Sequence, residues 1–92
     1  MIKSFKHKGL ERFFSTGDKS GIQAHHASRL KQQLTLLNSA VSIKQMNMPN
    51  YQLHKLVGNL KDHYAISVNG NWRLTFVFKN GNAEIVDYQD YH

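Results

Sequence analysis

The last quarter of the chain concentrates side chains that can transfer protons and bind anions. Asn71 and Arg73 follow one Asn-Gly pair, a second Asn-Gly pair stands at residues 80–81, and the sequence then reads Asp87-Tyr88-Gln89-Asp90-Tyr91-His92. Histidine suits proton transfer because its unperturbed pKa is about 6.5, and an arginine fork can hold two phosphate oxygens at once. Tyrosine can hydrogen-bond a phosphate or stack on a splayed base. This set suits metal-independent RNA cleavage, in which the 2′-hydroxyl of the substrate is the nucleophile.

Two histidines are candidates for the proton transfers. His54 is predicted on the polar side of a strand, where a partly exposed histidine without a catalytic role is the alternative. His92 stands beside its own α-carboxylate and near Asp90. Those negative charges favour the imidazolium, which suits an acid rather than a base. A frayed terminal residue without a function is the alternative for His92.

The other histidines do not have the spacing of metal ligands. His25 and His26 are adjacent on a predicted helix and cannot both face one ion, and the chain contains no cysteine. The sequence also has neither a glycine-rich phosphate loop nor a nucleophile elbow. We therefore expect no metal and no other cofactor.

The composition indicates one basic, globular α+β domain over residues 1–92. Apolar residues make up 40% of the chain and charged residues 20%, and twelve Lys and Arg against six Asp and Glu give a formal charge of +6. Such a charge favours a nucleic acid or an acidic protein as partner, with solubility as the alternative explanation. The charged N-terminal residues do not resemble a signal peptide and no long apolar run follows, so we expect a cytoplasmic protein without a membrane segment.

Hydrophobic periodicity predicts the element order β-α-α-β-β-β-β, with helices on one face of a twisted antiparallel sheet. The first strand covers residues 2–5, and Gly17 ends a short first helix. The second helix covers residues 22–38, with an apolar stripe and a basic face. The stripe is Ala27, Leu30, Leu34 and Leu37, and the basic face is His25, His26, Arg29, Lys31, Gln32 and Gln33. Four further strands are predicted at residues 51–56, 63–68, 72–79 and 83–88.

The last hairpin allows its register to be predicted. A two-residue Asn80-Gly81 turn sets Lys79 opposite Asn82. Uninterrupted pairing then sets Phe76 opposite Ile85, Arg73 opposite Tyr88 and Asn71 opposite Asp90, with Trp72, Leu74, Phe76 and Phe78 on the core side. For the preceding hairpin we prefer a three-residue loop, which sets Val68 opposite Trp72 and Ile66 opposite Leu74.

Four segments together resemble the HigB branch of the RelE-type toxins. They are Ile2-Lys3-Ser4-Phe5-Lys6-His7-Lys8-Gly9-Leu10, Leu53-His54-Lys55-Leu56-Val57-Gly58-Asn59-Leu60, Gly70-Asn71-Trp72-Arg73-Leu74-Thr75-Phe76 and Val86-Asp87-Tyr88-Gln89-Asp90-Tyr91-His92. The resemblance spans nearly the whole chain. It implies a small RelE-like α+β ribonuclease that cuts messenger RNA in the decoding site of the translating ribosome. It also implies a HigA antitoxin with a helix-turn-helix domain, which forms a hetero-oligomer with an otherwise monomeric toxin.

The resemblance further implies the members of the site. They are His54, Asn71, Arg73, Asp90, Tyr91 and His92, with Arg73 on the phosphate and the two histidines sharing the acid and base steps. Relatives have a lysine directly before the glycine of the turn that ends a strand. In this chain that position, before Gly58, is Val57. Lys55 and Lys61 are the candidates to replace that cation on the RNA. Tyr88 is a further candidate for RNA binding. A non-catalytic binding module or an attenuated toxin is the alternative function.

Overall fold

Two α-helices cover one face of a four-stranded antiparallel sheet, which confirms the predicted α+β architecture. The computed structural model describes residues 1–58 and 62–91. The helices are α1, Lys8–Thr16, and α2, Ala27–Ser39; the strands are β1, His54–Lys55, β2, His63–Asn69, β3, Trp72–Lys79, and β4, Asn82–Asp90. Neighbours in the chain are neighbours in the sheet, in the order β1-β2-β3-β4. Short 3₁₀ turns cover Ala24–His26 and Ile43–Met46.

The helices begin and end at local sequence signals. The side chain of His7 accepts the N–H of Leu10 at 2.9 Å at the start of α1, and Gly17 ends the helix with a φ of 83°. The apolar stripe predicted for α2 is buried in full. The helix begins at Ala27 rather than near residue 22, because residues 24–26 form a 3₁₀ turn.

Two residues on the predicted basic face of the second helix are buried. His26 is 2% exposed and Gln33 is 0% exposed. One polar atom of each side chain has a partner: Nδ1 of His26 contacts the hydroxyl of Tyr88, and Gln33 donates to the carbonyl of Ser67 at 2.8 Å. The predicted basic face is therefore only partly exposed to solvent.

The N-terminal residues pair with the outer edge of β4 but do not form the continuous strand predicted for residues 2–5. Two isolated parallel bridges join Ile2 to Ala83 and Phe5 to Val86. The N–H of Lys3 donates to the carbonyl of Ala83 at 2.7 Å. The segment therefore covers an edge that would otherwise present unpaired backbone groups.

β1 is much shorter than the strand predicted over residues 51–56. Asn50 and Gln52 have positive φ angles of 70° and 51°, which interrupt an extended chain before His54. Only His54 and Lys55 pair with β2. Gly58, where the strand was predicted to end, has a φ of 84°.

The last hairpin follows the predicted register only near its turn. Lys79 lies opposite Asn82 and Phe78 opposite Ala83, as expected, and then the register shifts by one residue. Ile85 has a φ of 54° and is the extra residue of a β-bulge. Phe76 therefore faces the two bulge residues, Ile85 and Val86, instead of Ile85 alone as predicted.

The bulge changes every later pair of β3 and β4. Arg73 lies opposite Gln89 rather than Tyr88, and Trp72, not Asn71, lies opposite Asp90. The side of β3 that was predicted to face the core is nevertheless correct, because Leu74, Phe76 and Phe78 are all buried in the core.

The β2–β3 hairpin confirms one predicted pair and contradicts the other. Ile66 lies opposite Leu74, but Asn69 rather than Val68 lies opposite Trp72. A two-residue turn at residues 70–71 closes the hairpin, and the register shifts between Ser67 and Asn69. Val68 is the extra residue and remains buried at 3% exposure.

Candidate active site

The face of the sheet turned away from the helices, here called the open face, contains a shallow trough. His54, Ala65, Thr75 and Asp87 are successive partners across the four strands and so share this face. Ala65 and Thr75 are small and buried, whereas His54 is exposed. The side chains in the middle of the row therefore form a low floor beside a projecting imidazole.

His54 is held by the carbonyl of Gln52. Its Nδ1 lies 3.0 Å from that oxygen. A carbonyl can only accept a hydrogen bond, so Nδ1 carries the proton, and in the neutral ring Nε2 keeps its lone pair. Gln52 itself has a positive φ of 51°. The arrangement gives His54 the tautomer that a general base acting through Nε2 requires.

Arg73 lies on the same open face, two residues closer to the β2–β3 turn than Thr75. Its partners across the sheet are Ser67 and Gln89. Nη1 of Arg73 donates to the carbonyl of Gly70 at 3.0 Å and to that of Trp72 at 3.3 Å. These bonds hold a half-buried guanidinium at the end of the trough.

The end of the sheet near Arg73 also holds Asn71, Asp90 and Tyr91, but their pairing differs from the predicted register. Asn71 does not face Asp90 across the strands; its carbonyl accepts the N–H of Tyr91 at 2.8 Å. Asp90 is the partner of Trp72 and therefore points toward the helix side of the sheet. Tyr91 is 43% exposed. Arg73, Asn71 and Tyr91 are thus neighbours, with Asp90 at the rim.

His54 and Asp90 stand on opposite edges of the sheet. β1 and β4 are separated by three interstrand spacings, or about 14 Å. The structure therefore does not bring these two residues into contact, and a substrate strand would have to bridge them.

The predicted RNA-binding cations are only partly described. Lys55 is exposed and pairs with Tyr64, which places it on the opposite face from His54, as expected for an ideal strand. Val57 is 87% exposed. Lys61 and His92 lie outside the described residues.

Tyr88 belongs to the core, which corrects its predicted position beside Arg73. It is 4% exposed, its hydroxyl lies 2.6 Å from Nδ1 of His26, and its ring stacks on Trp72 with centroids 4.5 Å apart. Burial raises the pKa of Tyr88. The bulge at Ile85 is the cause, because it sets Tyr88 opposite the core residue Leu74. The ring is therefore not available at the surface for the stacking on RNA predicted for it.

Comparison with known proteins identifies the family. The family described as "RelE-like toxin of type II toxin-antitoxin system HigB" matches residues 3–92. The chain belongs to the HigB-like toxins. "Endoribonuclease HigB" from Proteus vulgaris is 45% identical over 92 residues, which is 100% of each chain. Membership in a type II system implies that a protein antitoxin binds this HigB-like toxin.

Two searches of the described residues bear on other classes of site. No helix among residues 1–58 and 62–91 is long and apolar enough to cross a membrane. In the same part of the toxin, no three His, Asp or Glu side chains are grouped so that they could hold a metal ion.

The sequence did not reveal a polar recess beside the trough. The recess encloses about 420 Å³ between the start of α2 and the end of β2, and its lining includes His25, His26, Arg29, Asn50, Gln52 and Asn69. Arg29 donates to the carbonyls of Asn50 at 2.8 Å and Ser67 at 3.2 Å. The basic face of α2 was the available signal, but nothing in the spacing joined it to residues 50–52 of this HigB-like toxin.

Proposed function

We propose that this HigB-like toxin is an endoribonuclease that cuts messenger RNA in the decoding site of the translating ribosome. A HigA-like helix-turn-helix antitoxin neutralises it in the cytoplasm. The observation that carries the proposal is the trough of the open face, where His54 in a base-competent tautomer and the phosphate-binding group Arg73 share one surface. The name of the Proteus vulgaris relative supports the same reaction.

The reaction needs one base, one phosphate anchor and one acid. Nε2 of His54 takes the proton of the 2′-hydroxyl, and the 2′-oxygen attacks the phosphorus. The bond from phosphorus to the 5′-oxygen breaks, which leaves a 2′,3′-cyclic phosphate and a 5′-hydroxyl end. Arg73 stabilises the extra negative charge on the phosphate oxygens as that bond changes. The two products contain only the atoms of the RNA and protons exchanged with the catalytic side chains.

The remaining site residues complete the acid side. His92 donates a proton to the leaving 5′-oxygen. Asp90 orients the His92 ring or passes a proton to it. Asn71 and Tyr91 hydrogen-bond the substrate, supported by the bond between their backbones. The formal charge of +6 favours association with RNA along its phosphates, and Lys55 and Lys61 add to that attraction.

The test is cleavage of a translated message by purified toxin and ribosomes. We expect His54→Ala to slow cleavage by roughly 10²- to 10⁴-fold, because it removes general base catalysis. Arg73→Ala should slow it by roughly 10- to 100-fold, because it removes a charge-assisted bond to the phosphate. Lys44→Ala is the matched control, since it removes an exposed cation away from the trough and should leave the rate unchanged.

Mapping the 5′ ends of cellular transcripts after brief induction tests the reaction in cells. New ends within translated codons are expected. Slowed translation with intact messages would instead show a non-catalytic binding module. If His54→Ala and Arg73→Ala both cleave at the unaltered rate, the assigned site is wrong, although the protein is still a nuclease.

A further inference from the structure

The recess between α2 and β2 has the charge of an anion site. Among the described residues that line it, Arg29 is a permanent cation and His25 a potential one, while none is an aspartate or a glutamate. The guanidinium of Arg29 is fixed by the carbonyls of Asn50 and Ser67, and it lies 5.2 Å from the centre of the Tyr51 ring. A cation fixed in this way loses little further freedom when it binds a ligand.

Two buried nitrogens of residues that line the recess have no hydrogen-bond partner among the described residues. They are Nε2 of His26, which is 2% exposed as a residue, and Nε of Arg29. The Tyr88 hydroxyl accepts the N–H of Gln23 at 3.4 Å, so its own hydrogen can be donated to Nδ1 of His26 at 2.6 Å. Neither of the two buried nitrogens is accessible to solvent, so the cationic groups that a ligand in the recess can reach are the outer nitrogens of Arg29 and the ring of His25.

The recess shares two residues with the hydrogen bonds of the trough. The Gln52 carbonyl that fixes His54 and the Gly70 carbonyl that fixes Arg73 both belong to residues that line the recess. The recess therefore adjoins the place where the scissile phosphate would lie. A neighbouring nucleotide of the same strand is the nearest source of a second anion.

We propose that the recess binds an RNA phosphate next to the scissile one, through Arg29 and His25. This inference rests on the proposed function, because it assumes an RNA strand in the trough. The recess acts as a positioning site: it sets the strand so that one particular phosphodiester lies between His54 and Arg73.

The test measures binding of a fluorescently labelled 2′-O-methyl hexanucleotide, which cannot be cleaved, by anisotropy over a series of salt concentrations. We expect Arg29→Gln to weaken binding about ten-fold and to reduce the slope of log K against log salt by about 0.7, the value for one contact to a single strand. Arg29→Lys should restore most of the slope, since it keeps the charge. Lys31→Gln removes an exposed cation of the same helix outside the recess and should change neither quantity.

His25→Gln keeps the proposal testable if loss of Arg29 disturbs the fold. His25 is exposed at the rim of the recess, and its substitution should weaken binding several-fold. Unchanged affinity and slope in both His25→Gln and Arg29→Gln would overturn the proposal. So would an equal loss in Lys31→Gln, which would reduce the effect to net charge. Loss of antitoxin binding with normal RNA binding would also overturn it, by assigning the recess to a protein carboxylate.

The proposed function can fail independently of this result. The hexanucleotide lacks a 2′-hydroxyl, so its binding does not depend on catalysis. If the toxin binds the hexanucleotide through Arg29 but cuts no message, the recess proposal stands and the nuclease assignment fails. If the toxin cuts messages through His54 but binds the hexanucleotide equally well without Arg29, the nuclease assignment stands and the recess proposal fails.

Discussion

His26 joins three parts of the molecule through one buried ring. It lies between the 3₁₀ turn and α2, bonds the hydroxyl of Tyr88 on β4, and meets the Trp72 ring edge-on with centroids 5.6 Å apart. Burial, and secondarily the neighbouring His25, lowers the pKa of His26. The folded protein therefore holds this ring neutral at pH values where the unfolded chain protonates it.

The direction of that pKa shift predicts how stability depends on pH. Because the folded pKa lies below the unfolded value of about 6.5, the unfolded state binds the extra proton first. The free energy of unfolding should fall as the pH drops below about 6.5, by at most about 1.4 kcal/mol per pH unit from this residue. Urea denaturation between pH 8 and pH 5 measures it.

His26→Gln serves as the comparison for the pH profile, since it keeps a polar side chain but does not titrate. The other five histidines are common to both proteins, so the difference between the two profiles isolates His26. Parallel profiles for the two proteins would contradict the neutral, buried ring.

At the scale of single elements, the bulge in β4 determines which residues meet. It moves Tyr88 into the core and sets Gln89 beside Arg73. Its extra residue, Ile85, is 45% exposed and has a φ of 54°, a conformation that β-branched residues rarely adopt. The fold thus tolerates local strain to obtain this register.

Ile85→Asn should relieve the strain, because asparagine adopts the left-handed region more readily. We expect the free energy of unfolding to rise by about 0.5–1 kcal/mol, as measured by chemical denaturation. Ile85→Val is the matched control, since it keeps the β-branch at the same backbone angle and should bring no gain. A gain of equal size in both variants would show that side-chain burial, not backbone strain, limits this position.

The elements that could be predicted are those with local signals. The end of α1 at Gly17 and the turn at residues 80–81 follow from residues that favour positive φ. The bulge could not be predicted, because an isoleucine carries no preference for the conformation that it adopts there. Likewise, the segment that orients His54 contains unexpected positive φ angles at Asn50 and Gln52, and the burial of His26 involves Tyr88, 62 residues away.

At the scale of the whole molecule, other segments of the chain cover both outer strands of the β2–β3–β4 hairpins. Tyr51, His54 and Leu56 pair with the outer side of β2, and residues 2–6 run along β4. Ile2 and Phe5 also pack against the core. The N-terminal segment therefore both protects an edge and contributes apolar burial.

Removal of residues 1–5 should lower the free energy of unfolding by roughly 2–4 kcal/mol through lost burial and backbone bonds. The uncovered edge of β4 should also make the protein associate with itself, which sedimentation velocity at several concentrations would detect. Lys3→Ala keeps the backbone bond to Ala83 and should remain as stable and as monomeric as the unaltered toxin. A truncated protein that stays monomeric at high concentration would contradict edge protection.

Pairing between the first and last parts of the chain also determines when the toxin becomes active. The amino group of Met1 donates to the carbonyl of Gly81, 80 residues away, at 3.3 Å. Ala83, Val86 and Tyr88 belong to the core, so the core cannot close until β4 has emerged from the ribosome that makes it. A nascent toxin consequently has an incomplete core while its own message is still being read. On the function proposed above, its first target is therefore a message on another ribosome.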